Sequence, residues 1–314
     1  MQIGILSRNP SLYSTRQLVL AARRRGHIVK VLDTLRVSRA LDPRRRFVYP
    51  LDIHMLRNLQ AIIPRIGTSI SFEGVAVVQL LEAMGMFSTA SAAAIESSRN
   101  KLASVRLMQE AGLPLPETVL VKEDTVLRDA VKSLGGFPVV LKPLRGTQGR
   151  GIHLLHSLSD LETTVRLLLP SEPELLMQHF IAEADGADTR IIVVGEDCVA
   201  AMERRAPAGD FRANLHLGGS AVPIELDEAT RALAVKAAQV HSLHVAGVDL
   251  IKARDGYRIL EINSSPGLEG IEGVTSIDVA GAIIRFLELR LQGSRRPRPK
   301  KKGRRSSRSR RRTH

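Results

Sequence analysis

Short apolar runs alternating with helical stretches constrain this chain more than any other feature. Strands are predicted over Gln2–Ser7, Ile28–Leu32 and Ala61–Ile66. Between and after them, helices are predicted over Tyr13–Arg25, stopping at Gly26, and over Phe72–Met84. Strand–helix–strand order needs a crossover connection, so the first 95 residues read as an α/β unit built on a parallel sheet. No G-x-G-x-x-G follows the first strand, so nothing here marks a dinucleotide site.

Beyond residue 90 the grammar changes. Two helices fill 91–111, then a strand, Thr118–Val121, and a helix, Thr125–Leu134, that ends at Gly135-Gly136. A strand then runs into Lys142-Pro143, followed by the glycine-rich loop Arg145–Gly151, an apolar run Ile152–Leu155, a helix Leu161–Leu169 and a strand Glu174–Ile181. The last third reads as strands Thr189–Val194 and Val199–Arg204, a helix Asp227–Leu243, a hairpin Gly247–Asn263 and a closing helix Ile277–Leu291. The sum is an α/β and α+β chain without internal repeats.

Its 314 residues suggest about two domains, and a hydrophobic content of 44% rules out a wholly disordered chain. One cysteine, Cys198, excludes a disulfide framework and a Cys-rich zinc site; it lies in an apolar strand and reads as core. No apolar run reaches bilayer length, and MQIGIL lacks the plan of a signal peptide, so a cytoplasmic protein without a membrane partner is expected. The net charge of +14 is concentrated: residues 293–314 hold twelve Lys and Arg and no acid, leaving the body nearly neutral. Such a tail buries no apolar surface and reads as disordered. It suits polyanions such as ribosomal RNA, bound by counterion release. A solubilising extension has the same composition.

Two constellations carry chemistry. Gly146, Gly149 and Gly151 let backbone amides approach an anion, and Lys142 adds charge from the preceding strand. This is no Walker A sequence, since the Lys precedes the loop, and a turn needing positive φ would look similar. The second constellation is Val245–Ile251, with Asp249 in an apolar run, and Tyr257–Asn263, with Glu261 and Asn263 two apart on one face. A two-residue Asp255-Gly256 turn would pair Asp249 with Ile262 and put it on the opposite face. A three-residue loop would pair it with Glu261. Opposed carboxylates in apolar strands need compensation, and oxygen ligands suit Mg²⁺ or Mn²⁺. A phosphate cradle beside a metal site suggests a nucleotide–metal complex, with Lys101, Lys142, Arg204 and Arg212 as candidate cations.

In order along the chain stand Lys101, Lys142 before its loop, Gln178-His179-Phe180-Ile181, Asp188-Thr-Arg190, Arg212-Ala213-Asn214, Asp249 and Glu261-Ile-Asn263, with PRIGTSISF at 64–72 and ERRAPAGDFRANLHLGG at 203–219. This pattern resembles the ATP-grasp carboxylate–amine ligases. More closely, over residues 1–291, it resembles the RimK family, which adds glutamate to the C-terminus of the sixth protein of the small ribosomal subunit. The resemblance implies a pre-ATP-grasp domain at 1–95, a central subdomain at 96–175, a C-terminal subdomain with the metal site at 176–292, and the basic tail at 293–314. It implies ATP as co-substrate, held by Lys101, Lys142, Gly149, His179, Phe180, Asp188, Arg212, Ala213 and Asn214. Two Mg²⁺ or Mn²⁺ ions would sit on Asp249, Glu261 and Asn263. Lys142, Arg204 and Arg212 would serve catalysis, and Arg65, Arg190 and Arg204 would contact substrate carboxylates. His179 stands where relatives carry Glu, which bears on base preference unless only its backbone meets the adenine.

The reaction implied is phosphorylation of a protein C-terminal carboxylate by ATP, then attack by the amine of free glutamate on the acyl phosphate. The resemblance leaves a homo-oligomer open. Two other readings compete: a ligase joining glutamate to a small molecule, with the same ATP half, and a non-catalytic RNA-binding factor driven by its tail. The buried acids and Lys142 argue against the last.

Overall fold

The structure, a computed structural model, describes residues 1–40, 56, 58–144, 151–213, 215 and 218–293. The loop residues Gly146 and Gly149, Asn214 and residues 294–314 of the basic tail lie outside the described residues.

The first sheet is four-stranded and parallel, in the order β2 (Ile28–Leu32), β1 (Gln2–Leu6), β3 (Ala61–Pro64), β4 (Phe87–Ser88). Its helices include α1 (Tyr13–Arg24), α2 (Thr34–Ala40) and α3 (Ser71–Ala83). The chain moves from β1 to β2 on one side, then returns past β1 to β3 on the other. That reversal opens a crevice beyond the C-terminal ends of β1 and β3.

Two helices follow, α4 (Ala92–Arg99) and α5 (Lys101–Glu110). Asn100 separates them, and its side chain caps α5 by accepting from the Ala103 amide, which sets Lys101 in the first turn of α5. Helix α5 is held by a buried contact, Ser104 Oγ to His241 Nε2 at 2.8 Å, while His241 Nδ1 meets the Ala237 carbonyl. His241 thus ties two helices together.

The second sheet is also four-stranded, in the order β5 (Thr118–Val121), β8 (Leu175–His179), β6 (Val139–Pro143), β7 (His153–Leu155), and is antiparallel. Helices α6 (Leu127–Ser133) and α7 (Leu158–Leu168) complete a core of its own around Leu141, Leu161, Leu175 and Met177. Strand β8 runs across the 175/176 boundary expected between subdomains and belongs to this sheet.

The third sheet holds five antiparallel strands in the order β11 (Ser220–Pro223), β10 (Asp197–Arg205), β9 (Ala187–Val194), β12 (Val245–Ala253), β13 (Gly256–Asn263). One face, with Ile191, Val193, Val248, Leu250, Ile259 and Ile262, packs on alanines of α8 (Glu228–Val240). On the other face Ile192, Val194, Met202 and Val245 pack beneath α9 (Glu269–Thr275) and α10 (Val279–Gly293). Cys198 is partly buried at the edge of this body, with its thiol against the Arg231 carbonyl. Among the described residues no helix is long and apolar enough to cross a membrane.

Candidate active site

The second face of the third sheet is apolar at one end and ionic at the other. Residues 188, 190, 192 and 194 of β9 share a face. Ile192 and Val194 are core, while Asp188 and Arg190 carry the same face beyond the cover. The register sets Arg190 opposite Asp249 and Arg204 opposite Asp188.

The hairpin pairs Asp249 with Glu261, the outcome that a three-residue loop would give, but by another route. The turn has two residues, Arg254 and Asp255, with Ala253 opposite Gly256. Regular pairing runs to Leu250–Ile259. Then the register slips by one residue, at Leu260, and resumes at Asp249–Glu261. This is a β-bulge. It lets Ile259 and Ile262, three residues apart, both reach the core, and turns Glu261 and Asn263 to the face that holds Asp249.

Asp249 is buried, and two guanidinium groups surround it. Arg190 forks onto it, with Nε donating to Oδ1 at 2.7 Å. Arg204 donates to Asp249 Oδ2 at 3.0 Å and holds Asp188 through Nε and a terminal nitrogen at 2.6 and 2.7 Å. Burial acts to raise Asp249, but Arg190 and Arg204 outweigh it and keep the carboxyl ionised, below its ordinary range. Asp188 moves the other way, raised by burial and by the neighbouring Asp249 charge. For Arg204, burial is overcome by the two carboxylates, which strengthen its hold on the proton.

Lys142 and Lys101 face Glu261 from β6 and α5. Burial pulls Lys142 down to about 8; Glu261 opposes this and Lys101 adds to it. Lys101 is lowered by burial too, against the pull of Glu261 and Glu172. Two amines whose charged form is disfavoured by burial, and one of which feels the charge of the other, are suited to a polyanion that would stabilise that charge. Glu261 itself is exposed.

The remaining expected residues lie around this centre. Arg212 is tied to Asp210, with Nε to Oδ1 at 3.0 Å and a terminal nitrogen to Oδ2 at 2.7 Å, which holds Asp210 near 2. Ala213 is buried. Phe180 meets Phe211 edge-on at 6.1 Å. The ring of His179 turns to the Leu134 carbonyl at 3.0 Å and its amide donates to Glu117, so its side chain is committed to α6. Gly149 and Asn214 lie outside the described residues.

Comparison with known proteins decides what this arrangement belongs to. The RimK-like ATP-grasp domain profile matches residues 98–287 and the RimK pre-ATP-grasp domain profile matches residues 1–95. This chain belongs to the RimK family. It is 44% identical over 303 residues to a probable alpha-L-glutamate ligase 1 of Hahella chejuensis, covering 96% of this chain and 99% of the relative. A probable alpha-L-glutamate ligase of Azotobacter vinelandii is 44% identical over 288 residues, covering 92% and 95%. Among solved structures the fold matches the ATP-grasp ligase PsnB with its minimal precursor, with a TM-score of 0.70, 21% identity and coverage of 92% and 98%. It also matches D-cycloserine synthetase DcsG, at 0.69 and 19%, covering 93% of this chain and 100% of that one. As a RimK-family protein with an ATP-grasp fold, the chain is an ATP-dependent carboxylate–amine ligase.

The donors fit a hard divalent cation in kind: two carboxylates and an amide oxygen on one face, with Asn263 Oδ1 already accepting from the Ser265 amide. Among the described residues no three His, Cys, Asp or Glu side chains gather into a metal site, so the set rests on the amide as third ligand. Sequence reasoning missed Asp210, two residues before Arg212, and the bulge at Leu260. It also missed Arg99, whose guanidinium binds the Ile66 and Gly67 carbonyls and Ser71 Oγ. Only Asp210 left a local signal, its spacing from Arg212.

Proposed function

We propose that this ligase joins glutamate to the C-terminal carboxylate of a small-subunit ribosomal protein, consuming ATP. The observation that carries the reading is the facing of Lys101 and Lys142 against Glu261, beside its partner Asp249. It occurs in a chain whose relatives are named alpha-L-glutamate ligases. Magnesium with ADP in a PsnB complex supports the use of Mg²⁺ with the nucleotide.

In this reading the nucleotide lies between the second and third sheets. Lys142 and Lys101 neutralise phosphate oxygens, and Arg212, Ala213 and Asn214 line the phosphate end. Phe180 and the backbone at His179 border the base, Asp188 stands on the ribose side, and Gly149 belongs to the covering loop. Asp249, Glu261 and Asn263 would hold two Mg²⁺ or Mn²⁺ ions, which would supply charge neutralisation at the phosphates.

The acceptor carboxylate attacks the γ-phosphorus and ADP departs, leaving an acyl phosphate. The amine of glutamate then attacks the acyl carbon, loses a proton and expels phosphate, forming the amide. Lys142, Arg204 and Arg212 contribute alignment and charge rather than covalent chemistry. The basic tail adds affinity for ribosomal RNA or another polyanion.

The test is intact-mass spectrometry of purified small-subunit ribosomal proteins incubated with this protein, ATP, Mg²⁺ and glutamate. Whole glutamyl increments on one protein, dependent on ATP, are expected. ATP consumption without any mass shift would move the acceptor to a small molecule.

A further inference from the structure

Helix α5 carries a cation of the site but has little core of its own to hold it there. Of its ten residues only Ser104 and Met108 are buried. Lys101, Ser104 and Met108 stand at i, i+3 and i+7, so the lysine lies on the face that docks. Met108 enters the apolar core. Apolar contact is non-directional, and by itself it leaves a helix free to turn and slide. Direction comes from Ser104.

Ser104 Oγ meets His241 Nε2 at 2.8 Å, and the two residues are 5% and 2% exposed. The proton positions follow from the partners. The Ala237 carbonyl can only accept, so His241 Nδ1 donates to it at 3.0 Å, which leaves Nε2 to accept from the Ser104 hydroxyl. Burial favours this neutral ring and lowers its proton affinity below the ordinary imidazole range. His241 is itself fixed, because it closes α8. Ala237 and Ala238 of that helix are buried in one core with Val248, Leu250 and Ile262 of β12 and β13, the strands that carry Asp249 and Glu261 on their other face. Lys101 is thus referred to the acids it faces through α8, one imidazole, one hydroxyl and one helical turn.

We infer that His241 is a positioning residue for nucleotide binding: through Ser104 it fixes the rotation of α5, and with it the reach of Lys101 toward the phosphates. This goes beyond the proposed function and rests on it for the placing of Lys101 at the phosphates. His241 acts as a fixed acceptor inside the protein and touches no substrate.

The test uses the full chain. Calorimetry reads the affinity for a non-hydrolysable ATP analogue with Mg²⁺, which needs no acceptor. Ser104→Ala and His241→Leu are each expected to weaken it about 5- to 10-fold, the worth of one directed hydrogen bond. His241→Gln, whose amide sets an acceptor near the former Nε2, should restore most of the affinity. Two comparisons separate positioning from general support. In a Lys101→Met background, Ser104→Ala should cost less than about 2-fold more, because the group it positions is gone. The double variant Ser104→Ala/His241→Leu leaves neither side chain with an unpaired polar atom, so it should melt close to the parent and still bind the analogue as weakly as either single variant. Parent-like affinity in Ser104→Ala overturns the assignment. So does a full further loss in the Lys101→Met background, or an affinity that recovers with melting temperature in the double variant. A Lys101→Met chain that binds the analogue like the parent removes Lys101 from the phosphates, and the positioning role falls with it. Affinities that follow the expected pattern without any glutamyl transfer to ribosomal proteins would support the positioning role and remove the acceptor reading.

Discussion

Arg190 lies directly across the ladder from Asp249, and its Nε donates to Asp249 Oδ1 at 2.7 Å. The acid expected to bind metal is therefore held by a neighbouring strand before any cation arrives. Arg204 completes the arrangement and links it to Asp188. A metal joining Asp249 competes with guanidinium donors, so its affinity depends on the other ligands and on the nucleotide.

Removing the shared acid should be destabilising. Asp249→Ala leaves Arg190 without its partner and Arg204 with one of two, in a site where the side chains are 16%, 8% and 9% exposed for Arg190, Arg204 and Asp249. Breaking a buried pair costs about 3–5 kcal/mol. Urea unfolding should show that loss with an unchanged slope. A midpoint within experimental error of the parent would mean that the arginines find water instead.

Glu261→Gln should separate fold from chemistry. Glu261 is exposed and opposes Asp249, so the amide keeps the shape and removes one charge between two lysines. Losing a hard-cation ligand at the phosphates is expected to cost several kcal/mol in the transition state, roughly 100-fold or more in rate. Thermal melting should move little. Parent-like ligation by this variant would refute the assigned metal set.

Lys142 sets a pH limit with a definite sign. Its ammonium is pulled to about 8 by burial, from the ordinary lysine value of 10.5. Below about 8 the charge is present to meet phosphate, and above it the free enzyme loses that charge, so kcat/KM for ATP should fall. Between about 8 and 10.5 the unfolded chain binds more protons than the folded one, so stability rises with pH in that window. At pH 7 the buried ammonium opposes folding, and Lys142→Met should melt higher than the parent while its KM for ATP rises. A variant that melts lower, or an ATP profile flat to pH 10, would contradict this.

Much of the frame was legible because periodicity is local. Strands such as Ile28–Leu32 and Thr118–Val121 stand where the apolar runs set them. The hairpin was half legible. The spacing of Ile259 and Ile262 breaks strict alternation, and only a bulge at Leu260 lets both reach the core. Which acid each arginine takes was not legible, since Arg190–Asp249 and Arg204–Asp188 are set by strand order and register across 59 and 16 residues. Arg65 could be named from the chain, but that among the described residues its guanidinium has no acid partner while Arg190 is bound to Asp249 emerges only from the fold.

The basic tail gives a prediction that depends on composition alone. Residues 294–314 hold the twelve Lys and Arg that account for most of the net charge. Deleting them should leave ATP turnover on a free acceptor unchanged, because Lys101, Lys142, Asp249 and Glu261 all lie in the body. Ribosome or RNA binding should weaken sharply. If roughly 6–10 of the cations meet phosphates, affinity in the full chain falls about 10³–10⁵-fold between 50 and 200 mM salt, while the truncated chain shows a shallow slope. Filter binding to ribosomal RNA across that range measures both slopes. Equal slopes would assign polyanion binding to the body instead, and a loss of ATP turnover on truncation would tie the tail to the fold of the site.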